Sequence, residues 1–276
     1  MRHWLTLALL ALMLAPVAHA EHLPRPDHVV VVIMENRSYS QIMDKLKRDS
    51  YIHALMKSGM LFTQSYGITH PSQPNYLALF SGSTQGIGNN ACPNSFVSDN
   101  LATRLLDAGL SFASFSESLP AVGDLSCMSG AYQRKHNPAA NWQGTRLSAA
   151  LNLRFSDFPG DFATLPTVSF VIPDQDHDMH DGSFYAADDW LRTHIAPYVD
   201  WAMKHNSLLI LTWDEDNFGE GNRIATLLVG PMVQQGKSDQ RIDHYNVLRT
   251  VLDFYSLPAL GASHDAEAIR SVWKKN

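Results

Sequence analysis

HVVVVIMEN, residues 28–36, is an unbroken apolar run from Val29 to Met34 that ends at once on an acid and an amide. Branched side chains such as valine and isoleucine favour a pleated strand. The absence of apolar/polar alternation means a strand covered on both faces, which is the habit of parallel sheets. Similar runs lie at Ser111–Phe115, Thr167–Ile172, Ser207–Trp213 and Ala225–Val229. Helical spacing lies between them, at Asp99–Ala108, Asp188–Lys204 and Asp243–Tyr255. Pro197 is expected to kink or split the second of these, because it removes a hydrogen bond and clashes with the preceding turn. Strands alternating with helices predict an α/β layered sheet, mostly parallel and flanked by helices. The segment from about Ser116 to Asp161 shows no clear strand and is a candidate cap region.

The chain has 276 residues and a formal net charge of −6. It opens MRHWLTLALLALMLAPVAHA, with Arg2 before an apolar core, Leu5 to Leu14, and Ala18-His19-Ala20 after it. This pattern predicts a secretory signal over residues 1–20, cleaved after Ala20. Residues 21–276 would then form one exported domain with a net charge of about −7. No later run is long and apolar enough to cross a bilayer. No basic tail or stripe is present, which argues against nucleic acid as a partner. Cys92 and Cys127 are an even pair in the exported part, and predict one disulfide. No feature speaks to oligomeric state.

In open α/β sheets ligands bind beyond the carboxyl ends of the strands. The first run ends on Glu35-Asn36. Ser207–Trp213 ends on Asp214-Glu215-Asp216-Asn217, and Thr167–Ile172 runs through Pro173 into Asp174 to Gly182, DQDHDMHDG. Ser72, in THPSQPNY (Thr69–Tyr76), reads as the first turn of a helix. Carboxylate, amide and histidine groups gathered from several strand ends suit a divalent cation. Such a cation would favour the alkoxide of a neighbouring serine and neutralise phosphate oxygens. A helix start also offers backbone N–H groups to an anion. Together these features predict phosphoryl transfer through a covalent phosphoserine. Each piece also has a plainer reading: Ser72 as a helix cap, Glu35-Asn36 as an ordinary loop, the acids as a solvated turn, and the His177/His180 segment as surface.

MENRSY (Met34–Tyr39), THPSQPNYLALFSG (Thr69–Gly82), DMHDG (Asp178–Gly182) and TWDEDN (Thr212–Asn217) occur in that order. Taken together they resemble the bacterial and fungal phosphoesterase family, which includes secreted acid phosphatases and phospholipases C. The resemblance runs from about Asp27 to Leu257 and implies an alkaline-phosphatase-like layered sandwich. It implies Ser72 as nucleophile and metal ligand, and Glu35, Asn36, Asp214 and Glu215 as the other ligands. His180 would contact phosphate or protonate the leaving group. Asn90, in the place of a phosphate-binding asparagine of related nucleotide phosphodiesterases, and His70 are candidate substrate contacts. Those relatives hold a second metal through an Asp and two His. Asp174, Asp176, Asp178 and the distant His244 are candidates for that role. Asp178 and Asp181 would otherwise orient His180.

The implied activity is hydrolysis of a phosphoric monoester, of a small molecule or of a lipid head group, with an acidic optimum. The divalent metal is left open among Mg, Ca, Mn, Zn and Fe. Phospholipase C or other diester cleavage, phosphatidylinositol phosphate hydrolysis, and binding without turnover are the alternatives. The related sulfatases need C/S-x-P-x-R, and here Tyr76 stands where the arginine would be. No serine has the flanking glycines of a G-x-S-x-G hydrolase.

Overall fold

The computed structural model describes residues 23–275. The expected signal, residues 1–20, lies outside the described residues. Strands β1 (His28–Met34) and the later Ser207–Trp213 keep the bounds expected of them. In chain order the strands are β1, β2 (Met60–Tyr66), β3 (Phe112–Ser116), β4 (Met128–Ser129), β5 (Tyr132–Gln133), β6 (Asn152–Arg154), β7 (Val168–Ile172), β8 (Ser207–Trp213), β9 (Arg223–Val229) and β10 (Gly236–Asp243). The helices are α1 (Tyr39–Lys45), α2 (Tyr51–Ser58), α3 (Ser72–Ser81), α4 (Leu101–Asp107), α5 (Phe184–His194), α6 (Ala196–Ala202) and α7 (His244–Phe254).

The main sheet has the order β10-β2-β9-β8-β1-β7-β3-β6. β9 runs antiparallel to both neighbours, while the remaining pairings are parallel. The carboxyl ends of β1, β2, β3, β7, β8 and β10 therefore open on one rim, and the turn from β8 into β9 lies there too. β1 is central. Val29, Val31 and Ile33 face a core shared with α3, α4 and α7. Val30, Val32 and Met34 face the other core, shared with α1, α2, α5 and α6. Period-two alternation sends successive side chains to opposite faces, so both faces of HVVVVIM are buried, as its composition predicts.

The long helical pattern over Asp188–Lys204 is two helices, α5 and α6, broken at Ile195, with Pro197 in the first turn of α6. There proline costs no helical hydrogen bond. Three strands of the main sheet, β2, β6 and β10, escape a search for apolar runs. β10 is an edge strand carrying Lys237, Asp239 and Arg241, charges that discourage further pairing. β2 carries Thr63, Gln64 and Ser65. Its Ser65 hydroxyl meets Thr226 Oγ1 at 2.7 Å, and Thr226 meets Thr212 Oγ1 at 2.8 Å, so a buried hydroxyl ladder joins β2, β9 and β8.

The candidate cap region contains strands after all. β6 closes the sheet edge beside β3, and β4 and β5 form a short hairpin. The remainder is held by side chains. Arg134 is buried; its guanidinium donates to the carbonyls of Leu125 (2.8 Å), Asn94 (2.8 Å) and Ala140 (3.2 Å). Cys92 and Cys127 form a disulfide across a sequence separation of 35. Among the described residues no helix is long and apolar enough to cross a membrane.

A disulfide closing a loop of this length narrows the unfolded ensemble. Replacing both cysteines by serine is expected to cost about 2–4 kcal/mol in urea denaturation. Adding reductant to the wild type should reproduce that loss and leave the double variant unchanged.

Candidate active site

The chain leaves β2 at Tyr66 and turns through Gly67. A Cβ there would lie 2.6 Å from the Asp214 carbonyl and 2.7 Å from the Asn222 side chain, so the two loops touch by backbone. The Asn75 amide then shapes the turn. Its Oδ1 accepts from the N–H groups of Ile68 (2.8 Å) and Thr69 (3.0 Å), and its Nδ2 donates to the Thr69 carbonyl (2.8 Å). α3 starts at Ser72, but the cap position is Pro71, with no side-chain capping bond. The Ser72 hydroxyl instead lies 3.0 Å from Glu35 Oε2 and 3.1 Å from Glu215 Oε1, its one hydrogen shared between two acceptors. Ser72 starts a helix and leaves its oxygen in the site.

Glu35, Asp178, Asp214 and Glu215 are all buried, and the first and last of them face that oxygen. Asn36 sits in the left-handed region (φ 45°), which asparagine tolerates, and its N–H donates to Asp214 Oδ1 at 3.1 Å. Burial pushes the carboxyl pKa values of Glu35, Asp178 and Asp214 upward. Burial, then the nearby Glu35 charge, pushes Glu215 up to about 8. The Lys135 ammonium opposes the rise at Glu35, Asp178 and Glu215.

Four oxygens here, Glu35 Oε1, Asn36 Oδ1, Asp178 Oδ2 and Asp214 Oδ2, are buried without a hydrogen-bond partner. Such groups cost roughly 1–3 kcal/mol each when unpaired. Bare carboxylate and amide oxygens beside a serine suit a hard divalent cation, so the residues present fit the expected metal. Glu117, Asp174 and His177 also cluster, with ligand atoms within 4.8 Å of one another. Their atoms, by contrast, already have partners: Glu117 accepts from Trp190 Nε1 (2.8 Å) and the Asp174 N–H (3.0 Å), and Asp174 from the Ser118 hydroxyl (2.6 Å). That cluster reads as a brace between the loops after β3 and β7.

His180 lies at the mouth. Its Nδ1 is 2.7 Å from Asp181 Oδ1, and its N–H donates to Asp178 Oδ1 at 2.6 Å. Arg37 links the loops after β1 and β7 by donating to the carbonyls of Asn36 (3.1 Å) and His180 (3.4 Å). Asn90 Oδ1 accepts the Gln73 N–H at the start of α3 (2.9 Å). His70 is held between two carboxylates, Nδ1 at 2.6 Å from Glu215 and Nε2 at 3.2 Å from Asp216. The second-metal set is not assembled: Asp174 is in the brace, Asp176 donates its N–H to Asp174, and His244 lies behind the site, Nε2 at 2.6 Å from the Asp214 carbonyl.

The sequence reading passed over His136. It is buried against the Tyr76 ring, with centroids 5.2 Å apart. Its Nε2 is 3.1 Å from Glu35 Oε1, too poorly aligned for a hydrogen bond, and its Nδ1 is 3.6 Å from Asp178 Oδ2. Burial holds it well below the usual histidine range. A histidine inside the polar, proline-containing RKHNP of an otherwise unreadable segment was the available signal. Glu117 was also missed, though the strand-end rule applied to β3 would have found it.

A raised carboxyl pKa means that the folded chain holds protons which the unfolded chain has released above about pH 4.5. That contribution is complete below the unfolded value and is lost as pH rises through the folded one, about 8 for Glu215. His136 and His244, kept neutral by burial, act in the opposite direction, but only below about pH 6.5. The chelated protein is therefore expected to lose Tm between about pH 6.5 and 8.5. A divalent cation should restore it by replacing the protons. A chelated Tm that rises over this interval would contradict the electrostatic account.

The Phosphoesterase family model matches residues 43–258, beginning just after Glu35-Asn36. A phosphatidylinositol-3-phosphatase of Mycobacterium tuberculosis is 44% identical over 257 residues, covering 92% of this chain and 85% of that protein. A probable acid phosphatase of Kluyveromyces lactis is 30% identical over 262 residues, 86% of this chain; the chain spans 60% of that longer protein. A solved structure from Vibrio parahaemolyticus, described as a protein in the alkaline phosphatase superfamily, superposes with a TM-score of 0.59 at 13% identity, over 91% of this chain and 72% of that one. The superposition bears on the fold, which is that of the superfamily. With most of its length matched by the family model, the chain belongs to the Phosphoesterase family and is a phosphoric ester hydrolase.

Proposed function

We propose that the protein is an exported, metal-dependent phosphomonoesterase that acts through a phosphoserine on Ser72. The observation that carries this reading is the Ser72 oxygen, 3.0 and 3.1 Å from two buried carboxylates and at the first position of α3. Export is supported by the N-terminal pattern and by the disulfide, which persists in oxidising compartments. Glu35, Asn36, Asp214 and Glu215, with Ser72, would hold the metal. When bound, it would lower the pKa of the serine and offset the charge on the phosphoryl oxygens.

The chain's own groups then divide the work. The crowded carboxylates of Glu35 and Glu215 accept the Ser72 proton as Oγ attacks phosphorus in line with the leaving oxygen. The start of α3 would offer its partial positive charge to the phosphoryl group, with the Gln73 N–H already taken by Asn90 Oδ1. Asn90 and Lys135 are the nearby side chains suited to its remaining oxygens. Asp181 engages His180 Nδ1, which leaves Nε2 to donate to the leaving oxygen. A water deprotonated by the same imidazole then cleaves the Ser72 O–P ester. Asp178 and Arg37 would position His180 through its backbone.

The similarity to a phosphatidylinositol-3-phosphatase over nearly the full chain favours a lipid head-group monoester as one substrate. It uses the same site and the same bond cleavage. Diester hydrolysis is the less supported alternative.

The purified mature chain is expected to hydrolyse p-nitrophenyl phosphate, and to lose that activity with chelator. Ser72→Ala should lower kcat by at least about 10³-fold with Tm retained. Wild-type turnover in that variant would move the reaction to a water nucleophile. His180→Ala should cost about 10²-fold or more on an alkyl phosphate, and less on p-nitrophenyl phosphate, whose leaving group needs little protonation. Equal losses on the two esters would remove His180 from the acid role.

A further inference from the structure

A cavity of about 500 Å³ is lined by Thr69, His70, Asp216, Phe218 and Asn222 among others, on the loops that flank Ser72 and follow Glu215. Phe218 is 74% exposed. Its ring stacks on His70, with centroids 4.0 Å apart and planes at 22°. Two hydrogen-bond contacts link it to the reacting oxygen: His70 Nδ1 to Glu215 Oε2 at 2.6 Å, and Glu215 Oε1 to Ser72 Oγ at 3.1 Å.

An exposed phenylalanine alone needs no explanation. Here the loop around it is rigidly built. The buried Asp216 carboxylate accepts the N–H groups of Phe218 (2.7 Å), Glu220 (2.7 Å) and Asn222 (3.0 Å). Phe218 is thereby held at a φ of 66°, in the left-handed region that a bulky residue rarely adopts. His70 cannot drift, because both its ring nitrogens face carboxylates. The result is an aromatic ring backed on one face by a fixed imidazole, in a cavity whose His70 wall shares Glu215 with the Ser72 oxygen. A pre-positioned apolar face of this kind gives affinity with little ordering cost.

We propose that Phe218, backed by His70, is the wall of a leaving-group subsite that selects phosphate monoesters whose leaving group carries a ring. A flat aromatic ring would stack on it, and the C–H face of a cyclitol would pack on it. This assignment rests on the monoesterase reading given above. Phe218 sets specificity through ground-state packing, so its effect falls on KM and leaves the chemical step to Ser72.

The test compares wild type, Phe218→Ala and Phe218→Trp on p-nitrophenyl phosphate, a water-soluble short-chain phosphatidylinositol 3-phosphate, and glycerol 2-phosphate, which has no ring. For Phe218→Ala the ratio of kcat/KM on a ring-bearing ester to that on glycerol 2-phosphate is expected to fall about tenfold, mostly in KM. Phe218→Trp should keep the wild-type ratio. A fall with only one of the two ring esters supports the subsite and names the ring it takes. An equal change on all three esters, or none, overturns it. Wild-type silence on all three would instead defeat the monoesterase reading, and the subsite with it.

Discussion

The structure depends on a costly arrangement: Glu35, Asp178, Asp214 and Glu215 are buried together at one end of a parallel sheet. Each carboxylate removed from water costs roughly several kcal/mol unless it is paired. No arginine or lysine among the described residues forms an ion pair with them; the imidazoles of His70 and His136 and the Ser72 hydroxyl are what lie close. The raised carboxyl pKa values and the bare oxygens on Glu35, Asn36 and Asp214 are two expressions of the same deficit of positive charge. A dication, as proposed above, would remove both at once. Without one, protons must do so, and hence the chelated fold is expected to weaken as pH rises.

The rest of the molecule can be understood as what holds those acids in place. Central β1 is packed on both faces, which fixes Glu35-Asn36 at its end. β8 lies in parallel register beside it, pairing Met34 with Trp213, so Asp214 and Glu215 emerge alongside. The Asn36 N–H to Asp214 bond closes the gap between them. Ser72 arrives from β2, across the sheet, through a turn that Asn75 ties together. The hydroxyl ladder from Ser65 through Thr226 to Thr212 keeps β2 registered to the strand that delivers the acids.

The irregular segment after β3 serves the same end by other means. Its bonds run through side chains, above all the Arg134 clamp and the Cys92–Cys127 disulfide. It brings His136 onto the ring of Tyr76, one helical turn beyond Ser72, and against Glu35. A site built from strand ends and the start of α3 thus gains a wall that neither supplies.

The sequence by itself determined the sheet's centre, the rim on which its buried acids gather and the serine that faces two of them. Apolar runs such as HVVVVIM and SLLILTW encode burial on both faces locally, and an acid following a run that forms one of the parallel strands lies on the carboxyl rim. The polar strands β2 and β10 were not legible, because one is held by a cross-strand hydroxyl ladder and the other is a charged edge. His136 and the Glu117–Asp174–His177 brace were not legible either, since nothing in a single segment says that two loops distant in sequence will meet. His244 looked like a ligand by residue type; only the packed structure shows its Nε2 turned to the Asp214 carbonyl. Local pattern fixes which groups reach the rim, while their pairing depends on contacts between distant segments, which exist only once the layers have packed.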